Sequence, residues 1–439
     1  MAKKPTPRSS NASIASAAAS ASAGSGIEAM LLAALERGGE SLETGRYLVT
    51  FKEGALADGT KSLKAQGMRT ADARDFTDQA VDMAALGDAD AVMFPEVGVA
   101  LISGAAAAER SLGTAQASAE DAAMEIIEPE YFVFSDAAPG DYLRGFLSAA
   151  EAIARDLGSA ITDADAEEEV AVLGATWGLN ACRVPPSTRN GLGIRVAVLE
   201  TGIDLGHPDF AGRVVVSRSF VGQPVQDLHS HGTHCIGTAC GPQAPVGNTP
   251  RYGIAFRATI FVGKVLANNG SSVGASVIAG MNWAIANNCQ VISMSLGSQA
   301  PVQAAYTSAG QAALNRGLLM VAAAGNFAMQ TGAPANSPTI MAVASLDPTL
   351  GPSTFSNFGK IEIAGPGRDV FSSVPRPQRY GVKSGTSMAT PHVAGCAALW
   401  AQTNPALRGQ ALWNRLQATA RPLPFPAARV GRGLVQAPA

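Results

Sequence analysis

The sequence predicts an α/β protein. A doubly wound parallel sheet with helices on both faces is expected over residues 174–439, preceded by a small α+β unit over residues 45–136. Three observations carry this. From Gly191 onward, short β-branched apolar runs alternate with longer segments rich in small residues. The runs are apolar on both faces, as strands between two helical layers must be. Residues able to do chemistry recur at the carboxyl ends of those runs, where an open α/β sheet forms its crevice.

Residues 1–44 begin with an Ala/Ser-rich tail that carries Lys3, Lys4 and Arg8 at its front. Serines break the stretch and no leucine or valine run follows, so it makes a poor signal peptide and reads as a disordered tail. A short amphipathic helix is expected over 27–35. Secreted and cytoplasmic locations both stay open.

In the α+β unit, strands are expected at 47–51, 91–94, 97–102 and 126–134, with a helix over 105–123. Residues 137–173 read as a linker, with a helix over 142–157 and an acidic run at 163–169 that is most simply solvated. In the large unit, strands are expected at 194–199, 259–265, 290–295, 318–323 and 340–344. Helices are expected at 231–239, 273–286, 302–315 and 387–402. Gly317 suits the C-cap of the third helix.

Composition excludes more than it assigns. The net charge is −3 with no basic cluster, which speaks against a nucleic-acid partner. No run of 18 apolar residues predicts a membrane span. The five cysteines are odd in number, widely spread and without a C-x-x-C pair. Four read as small buried apolar residues, while Cys235 stands one helical turn after His231.

The chemistry-bearing motifs are four. Gly385-Thr-Ser-Met-Ala-Thr-Pro-His-Val-Ala-Gly395 puts Ser387 where a turn enters an apolar helix, beside free N–H groups and the positive dipole end. His229-Ser-His-Gly-Thr-His-Cys-Ile-Gly-Thr238 places His231 at the head of another helix. The run ending at Leu199 delivers a carboxylate, Glu200, and a second run delivers Asn326, a short stiff NH₂ donor suited to an oxyanion hole. His229, His231 and His234 follow H-x-H-x-x-H, which does not match the metalloprotease pattern H-E-x-x-H.

Together these blocks closely resemble the subtilases, the subtilisin-like serine proteases, from about Trp177 to the C-terminus. Tyr252-Gly-Ile-Ala255, the stretch 291–297, Phe355-Ser-Asn-Phe-Gly359 and Gly431-Arg-Gly-Leu-Val435 extend the likeness. The resemblance implies a subtilisin-like fold and a serine endopeptidase acting on protein or peptide substrates. Ser387 would be nucleophile, His231 base, Glu200 its orienting acid and Asn326 an oxyanion donor. It implies a substrate backbone held between Gly270, Ser271, Ser272 and Ser295, Leu296, Gly297. Ala322 to Ala324 and Phe327 would border the first specificity pocket, with a large apolar side chain expected before the cut.

No cofactor is required by this chemistry. A structural calcium is an option, with Glu362 and the Pro338 and Ile340 carbonyls as its ligands; Asp209 matches a second ligand position whose site is incomplete. The α+β unit resembles the family's ferredoxin-like propeptide, which chaperones folding and then inhibits the cleft. A cut could fall anywhere from Ser135 to Gly174, or not occur, and the enzyme is expected to be a monomer.

One residue departs from the family, whose strand ends in aspartate. Glu200 keeps the charge but adds roughly 1.5 Å of reach. Three readings follow. Glu200 works as the orienter from a strand set slightly back; or the enzyme is slow and tuned to one cut; or it is a dead protease used for binding. Asp204, past the glycine turn, is a weak substitute acid.

Overall fold

A computed structural model describes residues 26–36, 42–76, 80–109, 123–135 and 174–439. Among these, no helix is long and apolar enough to cross a membrane. The expected helix over 142–157, the acidic run at 163–169 and most of the helix expected over 105–123 lie outside the described residues.

The N-terminal unit runs α1 (Gly26–Glu36), β1 (Glu43–Phe51), α2 (Leu56–Ala65), β2 (Thr70–Asp72), β3 (Ala91–Phe94), β4 (Val99–Ile102), α3 (Gly104–Glu109) and β5 (Met124–Phe134). Strands β3, β4, β1 and β5 are neighbours in that order and antiparallel, with β2 a short parallel addition at the edge. Val49, Phe51, Leu63, Met93 and Ile102 form its core on one face.

The large unit opens with α4 (Trp177–Ala181), β6 (Arg195–Glu200), β7 (Val215–Ser219), α5 (His231–Cys240) and β8 (Thr259–Lys264). It continues through β9 (Ser271–Val273), α6 (Gly274–Ala286), β10 (Val291–Met294), α7 (Ala304–Asn315), β11 (Leu319–Ala323) and β12 (Met341–Leu346). Last come β13 (Ile363–Pro366), the hairpin β14 (Val370–Ser373) and β15 (Tyr380–Lys383), then α8 (Thr386–Thr403), α9 (Gly409–Thr419) and α10 (Ala427–Val430).

Seven strands form one parallel sheet in the order β13-β12-β11-β10-β6-β8-β7. The chain winds away from β6 in both directions, so a crevice opens at the carboxyl end of β6. Every expected strand of this sheet is present within a residue or two. The edge strands β7 and β13 were not expected: β7 mixes buried and exposed residues, and β13 is a short run interrupted by glycine and proline.

The two units are joined by strand pairing. Residues 124–131 of β5 pair with β1, while Phe132–Phe134 pair antiparallel with β9 of the large unit. Two carboxylates of β5 also cap helices across the boundary, where free N–H groups favour an anion. Glu130 accepts from Ala275 N at 2.7 Å at the start of α6, and Glu128 accepts from Ala304 N and Ala305 N at 3.0 and 2.8 Å at the start of α7. Arg46 holds the buried Glu130 carboxylate at 2.6 Å.

Candidate active site

Glu200 ends β6 with its side chain at the crevice. Its Oε2 lies 2.7 Å from His231 Nδ1, and both side chains are fully buried. The backbone of β6 keeps its register with β8 through the Glu200–Lys264 pair, so glutamate reaches the imidazole without a break in the ladder. Asp204 is engaged elsewhere. Its carboxylate pairs with Arg376 at 2.9 Å, and that guanidinium holds its pKa well below the usual carboxylate range.

His231 is the first residue of α5, after Ser230 in a left-handed conformation (φ 80°). The head of this helix is fixed by Asp227, a residue that the sequence reading missed. One Asp227 oxygen accepts from His229 N, Ser230 N and Thr201 Oγ1, at 3.0, 2.9 and 2.9 Å; the other accepts from Thr233 N and Thr233 Oγ1, at 2.8 and 2.7 Å. Thr201 Oγ1 in turn accepts from Gly232 N at 2.8 Å. A cation offsets these buried acids: Lys264 is buried and bonded to the Thr201 carbonyl and to Asn268. Burial pushes its ammonium down to about 8, against the pull of Asp227 and Glu200.

Ser387 is the second residue of α8, and only 1% of it is exposed. Its carbonyl has a special position. The helical donor four residues on is Pro391, which has no N–H. Ser295 Oγ donates to that carbonyl instead, at 2.7 Å, and Cys235 Sγ approaches it at 3.5 Å. The same sulfur lies 3.9 Å from His231 Nδ1, so Cys235 packs between the His231 ring and the Ser387 carbonyl. Burial pushes its thiol up to about 11, which keeps it a neutral packing group.

Asn326 follows β11. Its Oδ1 accepts from Thr386 N and Thr386 Oγ1, at 2.8 and 2.9 Å, which assigns Nδ2 as the donor toward the cleft. Asn326 and Ser387 share one pocket with Ala323, Ala324, Phe327 and Gly332. Ser298 and Gln299 line it too, so its wall is more polar than the alanines alone implied.

The expected substrate segments flank a strand, and that strand is the chain's own β5. Phe134 N donates to Gly297 O at 3.0 Å and Gly297 N donates back at 2.9 Å. Ser135 N donates to Gly270 O at 3.0 Å, and Phe134 and Val133 face Ser271 and Ser272 in register. Ser387 Oγ donates to the Ser135 and Ser295 carbonyls, each at 3.3 Å.

Two further histidines lie near the head of α5. His234 Nε2 meets the Val370 carbonyl at 2.9 Å, and burial pushes its pKa down to about 3. His229 packs edge-on against His231. Among the described residues, Glu200, His231 and Cys235 are grouped closely enough to hold a metal, but they are the site just described.

The residues expected around calcium do not fit that ion. The ammonium of Lys360 stands in the place of a cation: it bonds the Ala335 and Ile340 carbonyls and lies 2.8 Å from Glu362 Oε2. Pro338 supplies none of these contacts. At the second position, Asp209 accepts from Val246 N at 2.8 Å and from Tyr252 OH at 2.5 Å, which uses both its oxygens.

A serine at a helix head, a buried imidazole–carboxylate pair and an amide donor are the groups that serine-dependent hydrolysis of a carbonyl requires. The chain belongs to the subtilase family, whose profile matches residues 191–433. It is 39% identical over 254 residues to subtilisin Savinase of Lederbergia lenta, covering 56% of this chain and 91% of that one. It is 37% identical over 286 residues to an alkaline protease of Alkalihalobacillus alcalophilus, covering 63% and 73%. A solved cold-adapted subtilisin-like serine proteinase superposes with a TM-score of 0.54 at 32% identity, over 60% of this chain and 99% of that chain. The protein is a subtilisin-like serine protease, a hydrolase.

Proposed function

We propose that this chain is an endopeptidase made as a self-processing zymogen, with Glu200 in the role that aspartate plays in its relatives. His231 takes the Ser387 proton as the serine attacks a peptide carbonyl. Glu200 accepts the Nδ1–H, fixes the tautomer and stabilises the imidazolium. Asn326 Nδ2 and the Ser387 N–H receive the oxyanion. His231 then protonates the leaving amine, and water releases the acyl group.

The observation that carries the reading is β5. It enters the cleft as an added strand between Ser271–Val273 and Gly297 and brings the Ser135 carbonyl to Ser387 Oγ. That is the way a substrate backbone is held by β-augmentation. We place the processing cut within one residue of Ser135, at the near end of the expected 135–174 range. Residues 1–135 then form the propeptide, and the mature enzyme is expected to act as a monomer that needs no cofactor.

Intact mass of the wild type beside Ser387→Ala tests this. Loss of about the first 135 residues in the wild type alone is expected. Full-length protein in both, with no labelling of Ser387 by a fluorophosphonate, would overturn the reading in favour of a binding protein.

A further inference from the structure

We infer that helix α1 is a second inhibitory element, a cover laid over the outer face of the strand that fills the cleft. The inference rests on the zymogen reading and adds to it a part that strand pairing does not require. Side chains alternate along a strand, so a strand added to a cleft turns one set inward and leaves the other set to water. Here Val133 joins the main apolar core, which runs from the N-terminal sheet into the large unit, and so belongs to the inward set. The outward set is Phe132 and Phe134, yet these are only 0% and 4% exposed.

What covers them is α1. Leu31 and Ala34 close over Phe132, Phe134 and Val273 in one apolar cluster. One turn earlier, Ile27 sits against Val221 and Ala267 of the large unit. Ile27, Leu31 and Ala34 lie at the spacing of one helical face. The face opposite is open to solvent, with Leu32 43% exposed. A polar contact fixes the register. Glu28 Oε1 accepts from Asn269 Nδ2 at 3.1 Å, and Asn269 Oδ1 accepts from Ser271 N and Ser271 Oγ, at 3.0 and 2.8 Å. The helix is thereby tied to the turn that leads into β9.

The occupying strand is thus held from both sides, by the cleft beneath and by α1 above. A peptide substrate has the cleft alone. After the cut, the severed unit keeps an advantage over any substrate for as long as α1 stays seated. Release of activity is therefore governed by departure of α1 from the patch made by Val221, Ala267 and Val273.

The test uses the full chain in two backgrounds. In Ser387→Ala, which cannot cut itself, hydrogen exchange by mass spectrometry is compared with and without Leu31→Asp. Exchange at 131–135 and 267–273 is expected to rise at least tenfold, with 47–51 unchanged as a measure of intact folding. In the active chain, Leu31→Asp and the milder Leu31→Ala are expected to shorten the lag before peptidase activity at least fivefold. Leu32→Asp, on the open face, is expected to change neither. Unchanged exchange in Leu31→Asp, or unchanged lag in both Leu31 variants, would overturn the role of α1. If the wild type never processes itself, the zymogen reading fails, and the exchange comparison still decides whether α1 covers the strand.

Discussion

Glu200 Oε2 stands 2.7 Å from His231 Nδ1, at the end of a strand whose register is unbroken. The longer acid is therefore fitted to its place, and the shorter one would fall short by roughly 1.5 Å. Glu200→Asp is expected to lower kcat by about 10², the usual penalty for a displacement of about 1 Å. Glu200→Gln, which keeps the shape and loses the charge, is expected to lower it on the order of 10⁴, a magnitude taken from related triads. Steady-state kinetics on a peptide substrate decides. A faster Glu200→Asp enzyme would mean that glutamate is a brake.

Asp227 gathers five donors at the head of the helix that carries His231. Asp227→Ala removes the cap and leaves three N–H groups, the buried one of Thr233 among them, without that acceptor. A loss of at least about 2 kcal/mol is expected in urea unfolding. Because His231 is the first residue of that helix, kcat should fall more than KM rises.

The Ser387 carbonyl depends on Ser295 because Pro391 cannot serve it. Ser295→Ala is expected to cost about 1–3 kcal/mol of stability for a buried acceptor that has lost its strong donor. It should also slow fluorophosphonate labelling of Ser387. Ser295→Thr, which restores a hydroxyl, should recover most of the labelling rate.

Lys360 supplies the positive charge at the place considered for a calcium ion. Lys360→Ala leaves Glu362 facing two carbonyls with no cation. Its melting temperature is expected to drop by several degrees and to recover partly on addition of millimolar calcium. The wild type is expected to show no such calcium response at this site. Terbium luminescence appearing only in the variant would report the new ion site directly.

His392 is buried, bonds the Met388 carbonyl at 2.8 Å and is pushed down by burial to about 4 from an ordinary 6.5. Below pH 6.5 the unfolded chain takes up a proton there that the folded chain refuses. Its contribution is full above that pH and is lost as pH falls toward about 4. His392→Asn should flatten the fall in stability over this window by about one proton, measured from unfolding free energies at several pH values.

Much of this was legible in the sequence, for physical reasons. A strand buried on both faces must be apolar throughout, so β6, β8, β10, β11 and β12 announce themselves. A nucleophile, a base and an amide donor need helix heads and strand ends, and those carry glycine and small residues in recognisable order. What stayed hidden is non-local. Asp227 looks like any loop acid until the backbone of residues 229–233 is folded around it. Lys360 looks like a surface lysine until the Ile340 carbonyl lies beside it. Pro391 gave a signal that could have been used, since a proline four residues after a helical serine leaves that serine's carbonyl in need of a donor. The reach of Glu200 could be stated from covalent geometry, but its fit could not.

The shared sheet has a consequence for the order of events at the ribosome. Strand β5 is synthesised long before β9, so the N-terminal sheet is complete on one side and carries an unpaired edge on the other until residues 271–273 emerge. An open edge recruits whatever extended segment arrives. In this chain the segment paired with that edge is Ser271–Val273, beside the cleft. If the N-terminal unit is the propeptide proposed above, the part that blocks the enzyme would also template the cleft, and a variant chain begun at Gly174 is expected to fold more slowly because that segment has nothing to pair against.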